Sequence, residues 1–133
     1  MAFGTLAFDT LQTSDSANTA TSKTLDTSYV YNGSAKVWIN FNGTGTIATR
    51  DSFNVTSITD GGTGLYTVTI ANDMSSDDYS TTGAAGEEDD SGGNRSLGLR
   101  ARAAGSQNLR GFRDGVAADD MAAMDMHIMG DLA

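Results

Sequence analysis

The sequence predicts an all-β fold: an antiparallel sandwich or barrel-like domain at 33–133, preceded by an extended N-terminal arm at 1–32. The first observation behind this is a strand that alternates residue by residue. Val37, Ile39 and Phe41 point to one side, and Lys36, Trp38, Asn40 and Asn42 to the other. The second is repetition of that pattern at 52–56 and 65–70, around a glycine-built turn at 58–64. The third is a contrast. Residues 13–22 are Thr, Ser, Ala, Asp and Asn with no period of 3.6 or 2, and no heptad marks a coiled-coil stalk.

The arm carries its apolar residues early: Phe3, Leu6, Phe8 and Leu11. Two Phe and two Leu in eleven residues suit an anchor wedged into a larger assembly better than a frayed terminus. After the alternating region comes a loop at 72–78, then a short strand from Tyr79 to Gly83. Residues 83–94 read as an acidic, glycine-rich surface loop without a core-forming side chain. Alternation resumes at 96–103, with Leu97, Leu99, Ala101 and Ala103 on one face and Arg100 and Arg102 on the other. A turn at 105–108 leads into a hairpin return at 109–113, where Gly111 interrupts the pattern as a bulge would. The end is ambiguous by period. Met121, Met124 and Ile128 would share a helical face, and Met124, Met126 and Ile128 a strand face. A strand at about 124–130 agrees best with the short, regularly spaced strands before it.

The chain has 133 residues, no Cys, no Pro, sixteen Gly and one His. That length suits one domain. Without cysteine there is no disulfide framework and no thiolate metal site. The opening residues lack a basic segment followed by an apolar core, so no secretory signal is expected. No apolar run approaches the length of a membrane span, so no membrane insertion is expected. The net charge of −9 argues against a nucleic-acid partner, which needs a basic footprint. Leu, Ile, Val and Phe together make up less than a fifth of the chain. That level warns of disorder unless burial is completed by other copies of the chain, and it points to an obligate oligomer.

The case for an enzyme is thin, and no catalytic residue and no cofactor is assigned. His127 is the only histidine and lies in the apolar tail Met126-His127-Ile128-Met129, with no nucleophile-elbow motif to accompany it. The acidic groups Asp73/Asp77/Asp78 and Glu87/Glu88/Asp89/Asp90 offer oxygen ligands, with Asp89 and Asp90 the closest approach to a calcium loop. Neither group has EF-hand spacing, and a solvated loop is the simpler reading. Basic charge is segregated. No Lys or Arg lies between Arg50 and Arg95, whereas Arg95, Arg100, Arg102, Arg110 and Arg113 fall close together. They read either as ion-pair partners of acidic loops or as a patch for an anionic partner. Trp38, the only Trp, is read as an interface residue with Ile39, Phe41, Met124, Met126 and Ile128, rather than as a sugar-stacking platform.

The ordered set of motifs resembles a known family. It comprises the Trp-bearing strand at 35–42, the turn Asn42-Gly43-Thr44-Gly45-Thr46, the run Arg50-Asp51-Ser52-Phe53-Asn54, the loop Asp60-Gly61-Gly62-Thr63-Gly64 and the strand through Tyr66-Thr67-Val68. This set is similar to the tail-fibre-like trimeric virion proteins of tailed bacteriophages, marine phages especially. Weaker echoes lie in Met1-Ala2-Phe3-Gly4-Thr5-Leu6 and in the tail from His127 to Ala133. The resemblance implies a homotrimer located in the virion, attached through its N-terminus. Its partners would be copies of itself, the major capsid protein or tail proteins, and host surface glycan. Longer relatives carry shaft repeats that this chain lacks. A capsid decoration or head-fibre trimer is therefore expected first, and a tail fibre or receptor-binding tip is the alternative.

Overall fold

The computed structural model describes residues 10–13, 23–88 and 93–133. The chain divides into two compact units that meet between Ser34 and Ala35. In the first, β1 (Thr10–Thr13) pairs antiparallel with β2 (Lys23–Asp26), with Leu11 opposite Leu25. A short helix, α1 (Thr27–Gly33), follows directly. The sequence pattern predicts only extended chain here. Two helical turns and two four-residue strands are too short to register a period, and the Asn32-Gly33 pair is the only local mark of a helix end.

Among the described residues, the second unit holds nine strands: β3 (Val37–Asn42), β4 (Ala48–Phe53), β5 (Val55–Asp60), β6 (Leu65–Ile70), β7 (Ser80–Gly86), β8 (Arg95–Ala103), β9 (Ser106–Arg113), β10 (Ala117–Ala118) and β11 (Ala123–Met129). They form two antiparallel sheets arranged as a sandwich. One sheet has the order β4-β3-β11-β7 and the other β5-β6-β9-β8. The two-residue β10 pairs with Arg113 and Phe112 of β9 on the edge that β6 also uses, because β8 occupies the opposite edge. The first and last strands of the unit, β3 and β11, lie side by side, so closure of the domain waits on its C-terminus.

Alternation dictates the core. On β3, Val37, Ile39 and Phe41 are buried, directly opposite Ile128, Met126 and Met124 of β11. From the other sheet come Tyr66, Val68 and Ile70 of β6 and Leu109 of β9, with Met74, Tyr79 and Met121 closing the ends. Each large side chain buried this way contributes about 1.5–3 kcal/mol. Four methionines and two tyrosines carry much of the load, which a count of Leu, Ile, Val and Phe overlooks. Methionine's unbranched thioether fills irregular gaps between sheets. Buried Gln107 is satisfied: its amide donates to the Arg100 carbonyl at 3.0 Å, and its oxygen accepts from Thr81 Oγ1 at 3.2 Å.

Several sequence expectations shift by a residue or a mechanism. The run at 52–56 is not one strand. Asn54 sits between β4 and β5 with φ 57°, the left-handed region that Asn tolerates, and turns the chain from one sheet into the other. Its side chain accepts from the Asn72 backbone N–H at 2.8 Å and donates to the Asn72 carbonyl at 3.0 Å. β5 runs on to Asp60, so the following turn is only the glycine segment 61–64. β7 extends to Gly86, and Ala85, inside the presumed coreless loop, packs against the core. Gly111 is not a bulge, since it pairs in register with Leu97. The Asp119 carbonyl and the Met121 side chain lie so close that a Cβ there would sit 2.6 Å from that oxygen. The final segment is the expected strand, and the register shift in this hairpin lies between Leu99 and Arg102 instead.

Candidate functional site

The outer face of the second sheet collects the polar chemistry. On β9, Asn108, Arg110 and Phe112 alternate outward, opposite in phase to buried Gln107, Leu109 and Gly111. Register sets Leu65 of β6 and Gly98 of β8 beside Arg110, and Thr67 beside Asn108. The shift between Leu99 and Arg102 leaves Arg100 and Ala101 opposite the single residue Asn108, and this bulge brings Arg100 to the same place. The result is a shallow depression of about 480 Å³ lined by Gly61, Leu65, Thr67, Arg100, Asn108 and Arg110.

Phe112 positions one of the two arginines. Its ring lies against Gly98, where a Cβ would come within 2.6 Å of the ring edge. The Arg110 guanidinium stacks over that ring, 4.7 Å from its centroid. Arg110 Nε is out of solvent and without a hydrogen-bond partner. Thr67 Oγ1 donates to Asn108 Oδ1 at 3.0 Å, which leaves the Asn108 amide group as the donor end of that side chain.

The five clustered arginines do not act as one patch. Arg95 donates through Nε to Glu87 at 2.9 Å, with its side chain only 5% exposed. Arg113 pairs with Asp119 at 3.7 Å. Arg102 donates to the Tyr79 carbonyl at 2.7 Å and sits over the Tyr79 ring. The expected common face of Arg100 and Arg102 is broken by the bulge, because one extra residue reverses the alternation. Among the described residues, Arg100 and Arg110 form no ion pair.

The outer face of the first sheet is of a different kind. Phe53, Trp38, His127 and Thr82 are cross-strand neighbours in one row over β4, β3, β11 and β7. Trp38 is half-buried, His127 is exposed and Phe53 is 55% exposed. The next row is polar: Asn40 donates to Asp125 at 2.5 Å, and Arg50 reaches Asn40, the Ala122 carbonyl and Glu88. Ile39, Phe41, Met124, Met126 and Ile128, grouped with Trp38 in the sequence reading, are buried inside this one chain.

Phe3, Leu6 and Phe8 of the arm and the calcium candidates Asp89 and Asp90 lie outside the described residues, and Leu11 falls in β1. Among the described residues, no three His, Asp or Glu side chains converge as a metal site. Sequence reasoning singled out the arginines but missed Leu65, Thr67, Gly98, Asn108 and Phe112. The i, i+2, i+4 spacing of Asn108, Arg110 and Phe112 was the available signal for part of it.

No family model, curated protein or solved structure matches this chain.

Proposed function

We propose that the protein is a structural component of a tailed-phage virion: a homotrimeric capsid decoration, cement or head-fibre protein whose N-terminal segment docks on the particle. The ordered strand-and-turn motifs from Ala35 to Ile70 supply the phage context. The observation that carries the assembly is the Phe53–Trp38–His127 row. Large rings on the outer face of a sheet, with Phe53 55% exposed, favour coverage by another copy of the chain. Division of the chain at Ser34 is compatible with an anchor followed by an outward domain.

A second reading, a tail fibre or receptor-binding tip that recognises host glycan, is favoured by the Arg100–Arg110 depression on the opposite sheet. Copy number separates the two. Quantitative protein measurement on purified particles, against the major capsid protein, gives many copies in multiples of three for a decoration protein and few for a tail tip. Absence from the particles refutes both. The native mass of the isolated protein tests the trimer directly, with three times 13.8 kDa expected.

A further inference from the structure

We infer that the depression between Arg100 and Arg110 binds an acidic saccharide, holding its oxyanion between the two guanidinium groups. The inference concerns the isolated protein and stands whether or not the virion reading does.

The argument begins with charge. In a chain of net charge −9, two arginines that line one depression without a counter-charge repel each other and need a reason to stay together. Their three sequence neighbours show the ordinary solution: Arg95 takes Glu87, Arg113 takes Asp119, and Arg102 takes a backbone carbonyl. Arg100 and Arg110 have no such counter-charge among the described residues, although seventeen acids are present in the chain. Arg110 is also held in place. Phe112 supports its plane, Gly98 makes room for Phe112, and its Nε is desolvated with no acceptor. A guanidinium fixed on a ring before any ligand arrives loses little conformational freedom on binding.

The surroundings select the rest of the ligand. The Asn108 amide and the Thr67 hydroxyl are neutral hydrogen-bonding groups, and Leu65 gives an apolar edge. About 480 Å³ lies within the range of small-ligand sites, roughly 300–1,000 Å³, and far exceeds a bare inorganic anion. Two guanidinium forks, neutral donors and acceptors and a small apolar edge match a hydroxylated ring carrying one carboxylate or phosphate.

The test uses the full chain, titrated by calorimetry and by amide NMR with a tetramer of galacturonate, its fully methyl-esterified form, and inorganic phosphate. Saturable binding of the galacturonate tetramer is expected, weakening with salt, with shifts centred on Thr67, Asn108 and Arg110. Binding of the neutral ester should be at least about tenfold weaker. Arg100→Gln, at an exposed position that leaves the core intact, should weaken galacturonate binding roughly ten- to hundredfold, with an unchanged thermal midpoint. Arg110→Lys keeps the charge but loses the fork and the stack, and should weaken it as well. Phosphate binding as tightly as the tetramer would overturn the saccharide assignment. Equal binding of the ester, or no binding of any probe, would overturn the site itself. Self-association that is lost both in Arg100→Gln and in a Glu87→Gln/Glu88→Gln variant would also overturn it, making an acidic loop of a second copy the occupant.

Discussion

The Tyr66 hydroxyl lies 2.7 Å from Asp120 Oδ1 and donates to it, tying the start of β6 to the segment that leads into β11. The same carboxylate oxygen accepts the Gly64 N–H at 2.6 Å, and the Gly43 carbonyl lies 3.0 Å from the hydroxyl. The Tyr66 ring meets Phe41 edge-on, with 5.1 Å between centroids. One side chain thus joins the two sheets and the approach to the last strand.

Removing that hydroxyl should destabilise the fold without opening a cavity. Tyr66→Phe is expected to lose about 1–2 kcal/mol in urea denaturation, because Asp120 keeps the Gly64 N–H. An equal loss in Tyr66→Phe and in the Tyr66→Phe/Asp120→Asn double variant would show that the two groups act as one unit. Additive losses would contradict the pairing.

Alkaline pH should act through the same residue. Burial, reinforced by the hydrogen bond to Asp120, raises the Tyr66 pKa well above the ordinary phenol value. Burial raises Tyr79 too, partly offset by Arg102. The neutral phenol is the folded form, so this contribution to stability is whole below the unfolded-state pKa of about 10 and declines as pH rises above it. Unfolding free energy measured against pH should therefore fall above about pH 10, and more gently in Tyr66→Phe. Identical slopes in the two proteins would refute the assignment.

The pair between the central strands of the first sheet sets the largest mutational cost. Met126 faces Ile39 across β11 and β3, and both are buried. Met126→Ala should cost about 2–5 kcal/mol through the cavity it leaves. Met129, on the same strand but 38% exposed, should change stability by less than about 0.5 kcal/mol when replaced by Ala. Thermal unfolding of the two variants compares them directly.

Gly111 is required for space. Gly111→Ala would set a methyl group 2.6 Å from the Asp119 carbonyl, beside Met121 and Met124. A loss of about 1–3 kcal/mol is expected from this overpacking. Gly115, which has open space around it, tests the other limit: its φ of 73° makes Gly115→Ala costly by strain alone.

Ion pairs should differ sharply in weight. Glu87 holds a guanidinium that is 5% exposed, so Glu87→Ala leaves Arg95 buried without its partner and should cost about 3 kcal/mol. Asp119→Ala breaks the exposed pair with Arg113, worth at most about 1 kcal/mol. Salt titration of both variants and the parent separates the two pairs, since screening weakens only the exposed one.

Alternation alone made the strands legible. Val37, Ile39 and Phe41 on one face, and Met124, Met126 and Ile128 on another, read correctly because a pleated strand sends successive side chains to opposite sides. The sequence by itself determined the β class, most strand positions and which residues share a face on β3 and β11. It did not determine which strands pair. β3 lies against β11 from the far end of the chain, and no local pattern encodes contacts at that separation. The corner at Asn54, the role of Gly111 and the bulge after Leu99 likewise depend on what another strand brings near. So does the candidate site. Five arginines were visible in sequence, but only register and one extra residue in β8 separated Arg100 and Arg110 from the three whose charge or donors are already engaged. Local periodicity fixes which way a side chain points, whereas its neighbours are set by long-range pairing, and a site is made of neighbours.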